Sequence, residues 1–292
     1  MNPIEYLQLL VYGIVLGSII ALAAIGLSLT YGILNFANFA HGDFVTLGAY
    51  LTLLLRVGFG LPLAPSLLLA MAGTALLAVA VDKLLYRRLR ARGPVTLLIA
   101  SVGVALIVRN AILVGWGPGN QFLRQGIQFP YRIGGLLVKP DHITIVAIAV
   151  LLALGVHLFL QYTKLGKAMR AMADNPSLAT VTGIDTEAVI TWTWVIGAAT
   201  AAAAGVMLAL DTQISPEMGW HMLLSVFAAV LLGGIGSPYG AMAGGLILGI
   251  SQELSTAFIP TSYKPVVAFV IMIAILLVRP TGIFNTRGAM RV

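Results

Sequence analysis

The side chains able to do chemistry in this chain are few and unevenly placed. Four histidines stand at 41, 142, 157 and 221, far apart in sequence. No H-E-x-x-H pair, G-x-S-x-G turn or close pair of carboxylates accompanies them, so no zinc hydrolase, serine nucleophile or acid–base couple is spelled out. Cysteine is absent, which removes thiolate nucleophiles, disulfides and sulfur-ligated metals. No G-x-x-x-x-G-K-[ST] run is present to cradle a nucleotide phosphate, and "GGIGSPYG" (233–240) does not match G-x-G-x-x-G. What remains is polar groups set among oily ones. Asn35, Asn38, His41 and Asp43 form one group and Gly234, Gly236 and Pro238 another. Arg109 and Glu253 stand alone in apolar runs. A fourth stretch, "GKAMRAMADNPSLATVTGID" (166–185), is polar over twenty residues.

The surroundings decide what such groups can do. Of 292 residues, 59% are hydrophobic and 9% charged, with a mean hydropathy of +0.99. A soluble domain carries about 25% charged residues. No core hides this much apolar surface from water, so lipid must be the solvent for most of the chain. The net charge of +7 would suggest nucleic acid for a soluble protein. Here the basic residues sit in short segments between apolar runs, which reads as membrane topology, and no nucleic-acid partner is expected. The first apolar run has no basic residue before it and reads as a retained span rather than a cleaved leader.

A spanning helix needs about 20 apolar residues. Runs at 7–30, 62–81, 95–115, 143–161, 189–210 and 265–278 qualify, the last a little short. Two further regions are interrupted. Residues 31–55 are polar at the start and clean only from 44, and 221–257 is divided by "GGIGSPYG". Lys83, Arg87, Arg88, Arg90 and Arg92, then Lys164, Lys167 and Arg170, then Arg279, Arg287 and Arg291, should face the cytoplasm. The expectation is an all-α, polytopic membrane protein of eight or nine crossings, its N-terminus outside and its C-terminus cytoplasmic. It forms one domain over 1–292 with a cytoplasmic segment at 162–187. Glycines four apart (236, 240 and 244; 245 and 249; 13 and 17) and the bulk-free "GAATAAAAG" (197–205) point to close helix packing.

The polar stretch reads as two short helices. Leu165, Met169 and Met172 share one face of the first, while Lys164, Lys167, Ala171 and Asp174 fall on another. Asn175-Pro176 restarts the chain as N-cap and N1, Gly183 stops the second helix, and Asp185 caps the next span. It is either a solvated loop whose charges fix orientation or a docking element whose methionine face fills a partner's groove. Loops of this length are usually functional or disordered.

This segment resembles the cytoplasmic coupling loop of ABC importer permeases. Ala179-Thr180-Val181-Thr182-Gly183 followed by Ile184 matches its A-x-x-x-G core. Ser177-Leu178 stand where the family usually has Glu-Ala, so one charge of the docking pattern is missing. "NFAHGDFVTLGAY" (38–50), "GKAMRAMADNPSLATVTGI" (166–184), "VIGAATAAAAGVMLA" (195–209), "AAVLLGGIGSPYGAMAGGLILG" (228–249) and "PTGIF" (280–284) resemble, nearly end to end, the permeases of branched-chain amino acid transporters. The resemblance implies a non-catalytic subunit of an ATP-driven importer in the bacterial cytoplasmic (inner) membrane. Its partners would be a second, similar permease, two ABC ATPases and an extracytoplasmic solute-binding protein. No cofactor would be bound by this chain; ATP and Mg would sit on the ATPases. The ATPase-coupling residues implied are Gly166, Arg170, Ala171, Asn175, Pro176, Ala179, Gly183 and Ile184. Permeases for urea and short-chain amides share these motifs and are the alternative.

Ionisable groups at membrane depth face a cavity or a partner, and two Gly/Pro-broken segments in different halves point to a transporter's solute path. Asn35, Asn38, His41, Asp43, Gly234, Gly236 and Pro238 are therefore the path candidates. Each has a plainer reading. Asn38, His41 and Asp43 would cap a helix, Arg109 would snorkel to the outer face, Glu253 would be solvated, and 233–240 would be a tight cytoplasmic turn. An echo between "NFAHGDFVTLGAYL" and "GGIGSPYGAMAGGL" suggests an internal repeat. A membrane-embedded enzyme lacks its motifs here. A channel or ion-coupled carrier would not need residues 164–185, and a purely structural subunit would affect complex yield rather than uptake.

Overall fold

A computed structural model describes residues 2–123, 129–279 and 282–283. Of the "PTGIF" motif only Gly282 and Ile283 fall within this range; Arg124, Arg287 and Arg291 lie outside the described residues.

Helix α1 (Pro3–Leu34) opens with Pro3 at its first position and a capping box between Asn2 and Glu5, which supplies partners for otherwise orphaned amides. It ends at Asn35, a non-glycine residue with positive φ (55°); Asn tolerates that region better than most side chains. Helix α2 (Ala40–Leu53) continues through a π-turn to Gly58. Helix α3 (Leu63–Val81) is prolonged by a π-turn, the short α4 (Arg87–Leu89) and a 3-10 turn to Arg92. After α5 (Pro94–Trp116) come two short strands, β1 (Tyr131–Ile133) and β2 (Leu136–Val138). Then follow α6 (Pro140–Tyr162), α7 (Lys164–Asp174), α8 (Pro176–Val181), α9 (Thr186–Asp211), α10 (Met218–Gly233), α11 (Pro238–Ser255) and α12 (Lys264–Val278).

Helices carry the whole architecture, as expected. The departures among the described residues are an isolated antiparallel bridge between Gln121 and Ile214 and the antiparallel pair β1–β2, in which Ile133 faces Leu136 across Gly134-Gly135. Both glycines have positive φ, the requirement of a tight two-residue hairpin. The Gln8 side chain clamps this hairpin to α1, donating to the Leu137 carbonyl at 2.9 Å and accepting from its amide at 2.8 Å.

Among the described residues six helices are long and apolar enough to cross a membrane: α1, α3 with its extension, α5, α6, α9 and α12 with the turn before it. Helix α10 is a shorter apolar helix. Together with α2 and α11 it makes up the interrupted regions read from the sequence. Large aliphatic side chains such as Leu76, Ile107, Leu151 and Leu277 face outward from α3, α5, α6 and α12, as side chains solvated by lipid do.

The centre is α1 and α9. Helix α9 packs on α1, α2 and α3, and its run Ala201–Gly205 is buried. Absence of bulk is what permits this. A Cβ on Gly205 would lie 1.8 Å from the Val45 carbonyl oxygen, and one on Gly249 of α11 would lie 2.2 Å from Gly17 Cα. The four-residue glycine spacings thus mark backbone-to-backbone seams. At one end of the bundle Tyr86 and Trp194 stack, centroids 5.2 Å apart, with Phe36 tilted against both.

The two echoing segments start α2 and α11 at different levels of α1. His41 meets Ala23 and Gly236 meets Gly32, nine residues away or about 14 Å of helix.

Candidate functional site

Two polar regions stand out, one at the bundle's edge and one inside it. The first is the α7–α8 segment. Thr163 caps α7 by accepting from the Gly166 amide at 2.9 Å. Asn175 caps α8 by accepting from Leu178 at 3.0 Å, with Pro176 at the first helical position. The chain then stops at Gly183 (φ 81°), where the Gly183 amide donates to Thr180 and that of Ile184 to Ala179. Asp185 begins α9 by accepting from Ala188. Gly166 lies so close to the end of α6 that a Cβ there would stand 2.3 Å from the Phe159 carbonyl oxygen. Arg170 donates to the Leu160 carbonyl and, at 3.1 Å, to Gln161, satisfying acceptors that the end of α6 leaves open.

One expectation is corrected here. Met169 and Met172 do not face a partner; they are buried in this chain's own core, because α7 lies against α6, α9 and α1. Ala179 is buried beside them. The apolar groups turned outward are Leu178 and Val181, 59% and 84% exposed, next to exposed Arg170, Ala171, Asn175 and Pro176. The neighbouring basic segment is braced to α9: Arg90 makes two bonds to buried Asp82 at 2.6 and 2.7 Å and one to Glu187 at 3.0 Å, and Arg87 reaches Glu187 at 3.3 Å.

The second region is where α2 begins. Asn38 accepts from the Ala40 amide, so it does cap the turn, and its side-chain NH2 is buried with no partner among the described residues. His41 is buried and its Nε2 donates to the Ala23 carbonyl at 2.9 Å, since a carbonyl only accepts. Asp43 caps nothing. It is fully buried and takes two bonds from Arg109 of α5, at 3.0 and 3.1 Å, in the forked geometry of strong pairs. Arg109 therefore does not snorkel; its guanidinium carbon lies 4.9 Å from the Trp220 ring centroid. Glu253 is not merely solvated either, being paired with Lys264 at 2.6 Å.

Asn35, exposed at the end of α1, and the 233–240 turn lie apart from this cluster. Gly234 and Gly236 take positive φ, Ser237 caps α11 by accepting from Gly240, and Pro238 is the first residue of that helix. What meets the start of α2 is the start of α10, after a second irregular stretch at 212–217. The Gly219 amide donates to Thr46 at 3.0 Å, and Gly42 and Gly219 touch through their backbones. The apolar runs 189–210 and 221–257 leave 211–220 as a bare connection between two spans. The available signal was Pro216 followed by Met218-Gly219, with Glu217 and His221 one helical turn apart.

A family profile described as the permease component of branched-chain amino acid transport systems matches residues 9–276. The chain is 36% identical over 296 residues to the high-affinity branched-chain amino acid transport system permease protein LivH of Escherichia coli K12, covering 96% of each chain. It is 34% identical over 300 residues to the corresponding protein BraD of Pseudomonas aeruginosa, again covering 96% of each. A solved structure of PsaBC from Streptococcus pneumoniae in complex with Fab aligns over 96% of this chain and 94% of that one, with a TM-score of 0.53 at 13% identity, a likeness of fold alone.

Proposed function

Because the chain belongs to the family of branched-chain amino acid transport permease components, we propose that it is the membrane-spanning subunit of an ABC importer for branched-chain amino acids. It is a multi-pass protein of the inner membrane, folded as one permease domain over 1–292. The nine helices α1, α2, α3, α5, α6, α9, α10, α11 and α12 each cross. This puts the N-terminus outside, and the basic 82–93 segment, α7–α8 and the C-terminus in the cytoplasm.

The observation that carries the reading is the α7–α8 segment: two capped helices seated on the edge of the bundle that turn Leu178 and Val181 outward, where a partner can meet them. The chain has no phosphate loop, so the work must come from partners whose ATP and Mg cycle favours one of two conformations. Two ATPase subunits bind at α7–α8, a second permease completes the membrane domain, and a solute-binding protein delivers amino acid from outside. Gly166, Arg170, Ala171, Asn175, Pro176, Ala179, Gly183 and Ile184 shape and present the coupling surface. The solute passes near the start of α2, where Asn38, His41 and Asp43 fix the wall, while Asn35, Gly234, Gly236 and Pro238 stand toward its cytoplasmic end. This chain catalyses nothing and binds no cofactor.

The test is ATP-dependent uptake of labelled leucine into proteoliposomes holding this chain, its partner permease, both ATPases and the binding protein. Uptake blocked by isoleucine and valine is expected. Uptake blocked instead by urea or acetamide would move the substrate to short-chain amides, and uptake without the ATPases would remove the coupling role. A Gly183→Asp variant should insert normally and lose coupled uptake; unchanged turnover would sink that role.

A further inference from the structure

One face of α10 is out of keeping with a helix embedded in lipid. Helix α10 begins beside Gly42 and Thr46 of α2. That part of α2 is tied through His41 to Ala23, well inside α1. Its partner Arg109 is seven residues short of the end of α5, about 10 Å of helix. At this depth Glu217 and His221 lie 3.6 Å apart with side chains 64% and 73% exposed. Ionisable groups at such a level face a water-filled cavity or a partner, because lipid tails give them no solvation. Along the same face, at helical spacing, follow half-buried Trp220, exposed Leu224 and half-buried Phe227. Phe39 bridges the two rings, 6.3 Å from Trp220 and 5.3 Å from Phe227. Arg109 closes the side, its charge already balanced by Asp43.

The stripe is thus polar at its beginning and apolar along its length, beside an Arg109–Asp43 pair whose charges cancel. We infer that this face of α10 lines the solute path and takes a zwitterionic α-amino acid with an aliphatic tail. Glu217 and His221 meet the ammonium and carboxylate ends, and Trp220, Leu224 and Phe227 meet the tail. Trp220 over Arg109 marks the narrowing where the solute leaves water. The inference rests on the permease reading above and adds the residues that contact solute.

The chain lacks cysteine, so single thiols report directly. Glu217→Cys, Trp220→Cys, Leu224→Cys and Phe227→Cys would be made in the complete transporter, with Leu151→Cys on the exposed face of α6 as control. Each would be treated from outside with a charged, membrane-impermeant maleimide. Positions 217, 220 and 224 should react roughly tenfold or more faster than 151, because only a hydrated thiolate reacts. Leucine with the binding protein should slow 220, 224 and 227, and Glu217→Gln should raise the leucine concentration needed for that protection. Labelling no faster than at 151 would mean that lipid or the second permease covers this face, and would overturn the proposal. Fast labelling that no solute slows would overturn the contact assignment. Protection by urea or acetamide in place of leucine would leave the path standing and sink the substrate reading instead.

Discussion

Residues 164–185 and the cluster around Asp43 are both polar islands in an apolar chain, yet they are held in opposite ways. In the first, each capping bond spans three residues: Thr163 with Gly166, Asn175 with Leu178, Asp185 with Ala188. In the second, Arg109 reaches Asp43 from 66 positions away and Gly219 reaches Thr46 from 173 away. Local bonds let a segment keep its own shape. Distant bonds lock three helices to one another. The first kind suits the relay proposed for residues 164–185, and the second suits the wall proposed for the cluster around Asp43.

The comparison can be broken by substitution, and the largest effect belongs to the bundle. Gly205→Val drives a side chain into the Val45 carbonyl, a backbone atom with nowhere to go. It should abolish recovery of monodisperse protein in detergent, read by fluorescence-detected gel filtration. Arg109→Ala comes next. It strands a fully buried carboxylate, at a cost of about 3–5 kcal/mol, read as a lower thermal midpoint. The double variant Asp43→Asn with Arg109→Gln should regain much of the loss; equal midpoints for single and double variants would show that the pair is not what locks α2 to α5.

Smaller effects belong to the edge. Asn175→Ala removes the α8 cap, worth about 1 kcal/mol. It should speed amide exchange at Leu178 and Ala179 without moving the global midpoint, and a global drop would erase the distinction between the two regions. Glu187→Gln should cost less than about 1 kcal/mol because half-exposed ion pairs contribute little. Asp82→Asn, at the 3% exposed partner of the same arginine, should cost visibly more.

What was legible in the sequence follows the same division. Residue types alone marked the N-cap at Asn175, Pro176 at the first position, the stop at Gly183 and the cap at Asp185, because each acts on its own neighbours. The small-residue seams were legible too, since glycine at fixed spacing serves close approach. Burial of Met169 and Met172 was not, because an amphipathic face does not say whether its cover is a partner or the chain itself. Nor was the Asp43–Arg109 pair, for apolar runs such as 95–115 carry no phase that tells one neighbour from another. The turn at 233–240 has the louder Gly/Pro signal, yet the break that meets α2 is 212–217. Depth in the bundle is set by contacts with α1 and α2 and is written nowhere near either break.

The place of α9 has a consequence for how this protein is made. Its small-residue flank fills the space between α1, α2 and α3, yet it leaves the ribosome after α5 and α6. At about 5–20 residues per second, roughly 8–30 s separate the end of the α2 extension from the end of α9. Through that interval the earliest helices wait in the membrane with Gly48 and Val45 uncovered, as an unfinished socket. Insertion order and folding order are therefore different: the seam between α2 and α9 closes only after α5 and α6 have been made.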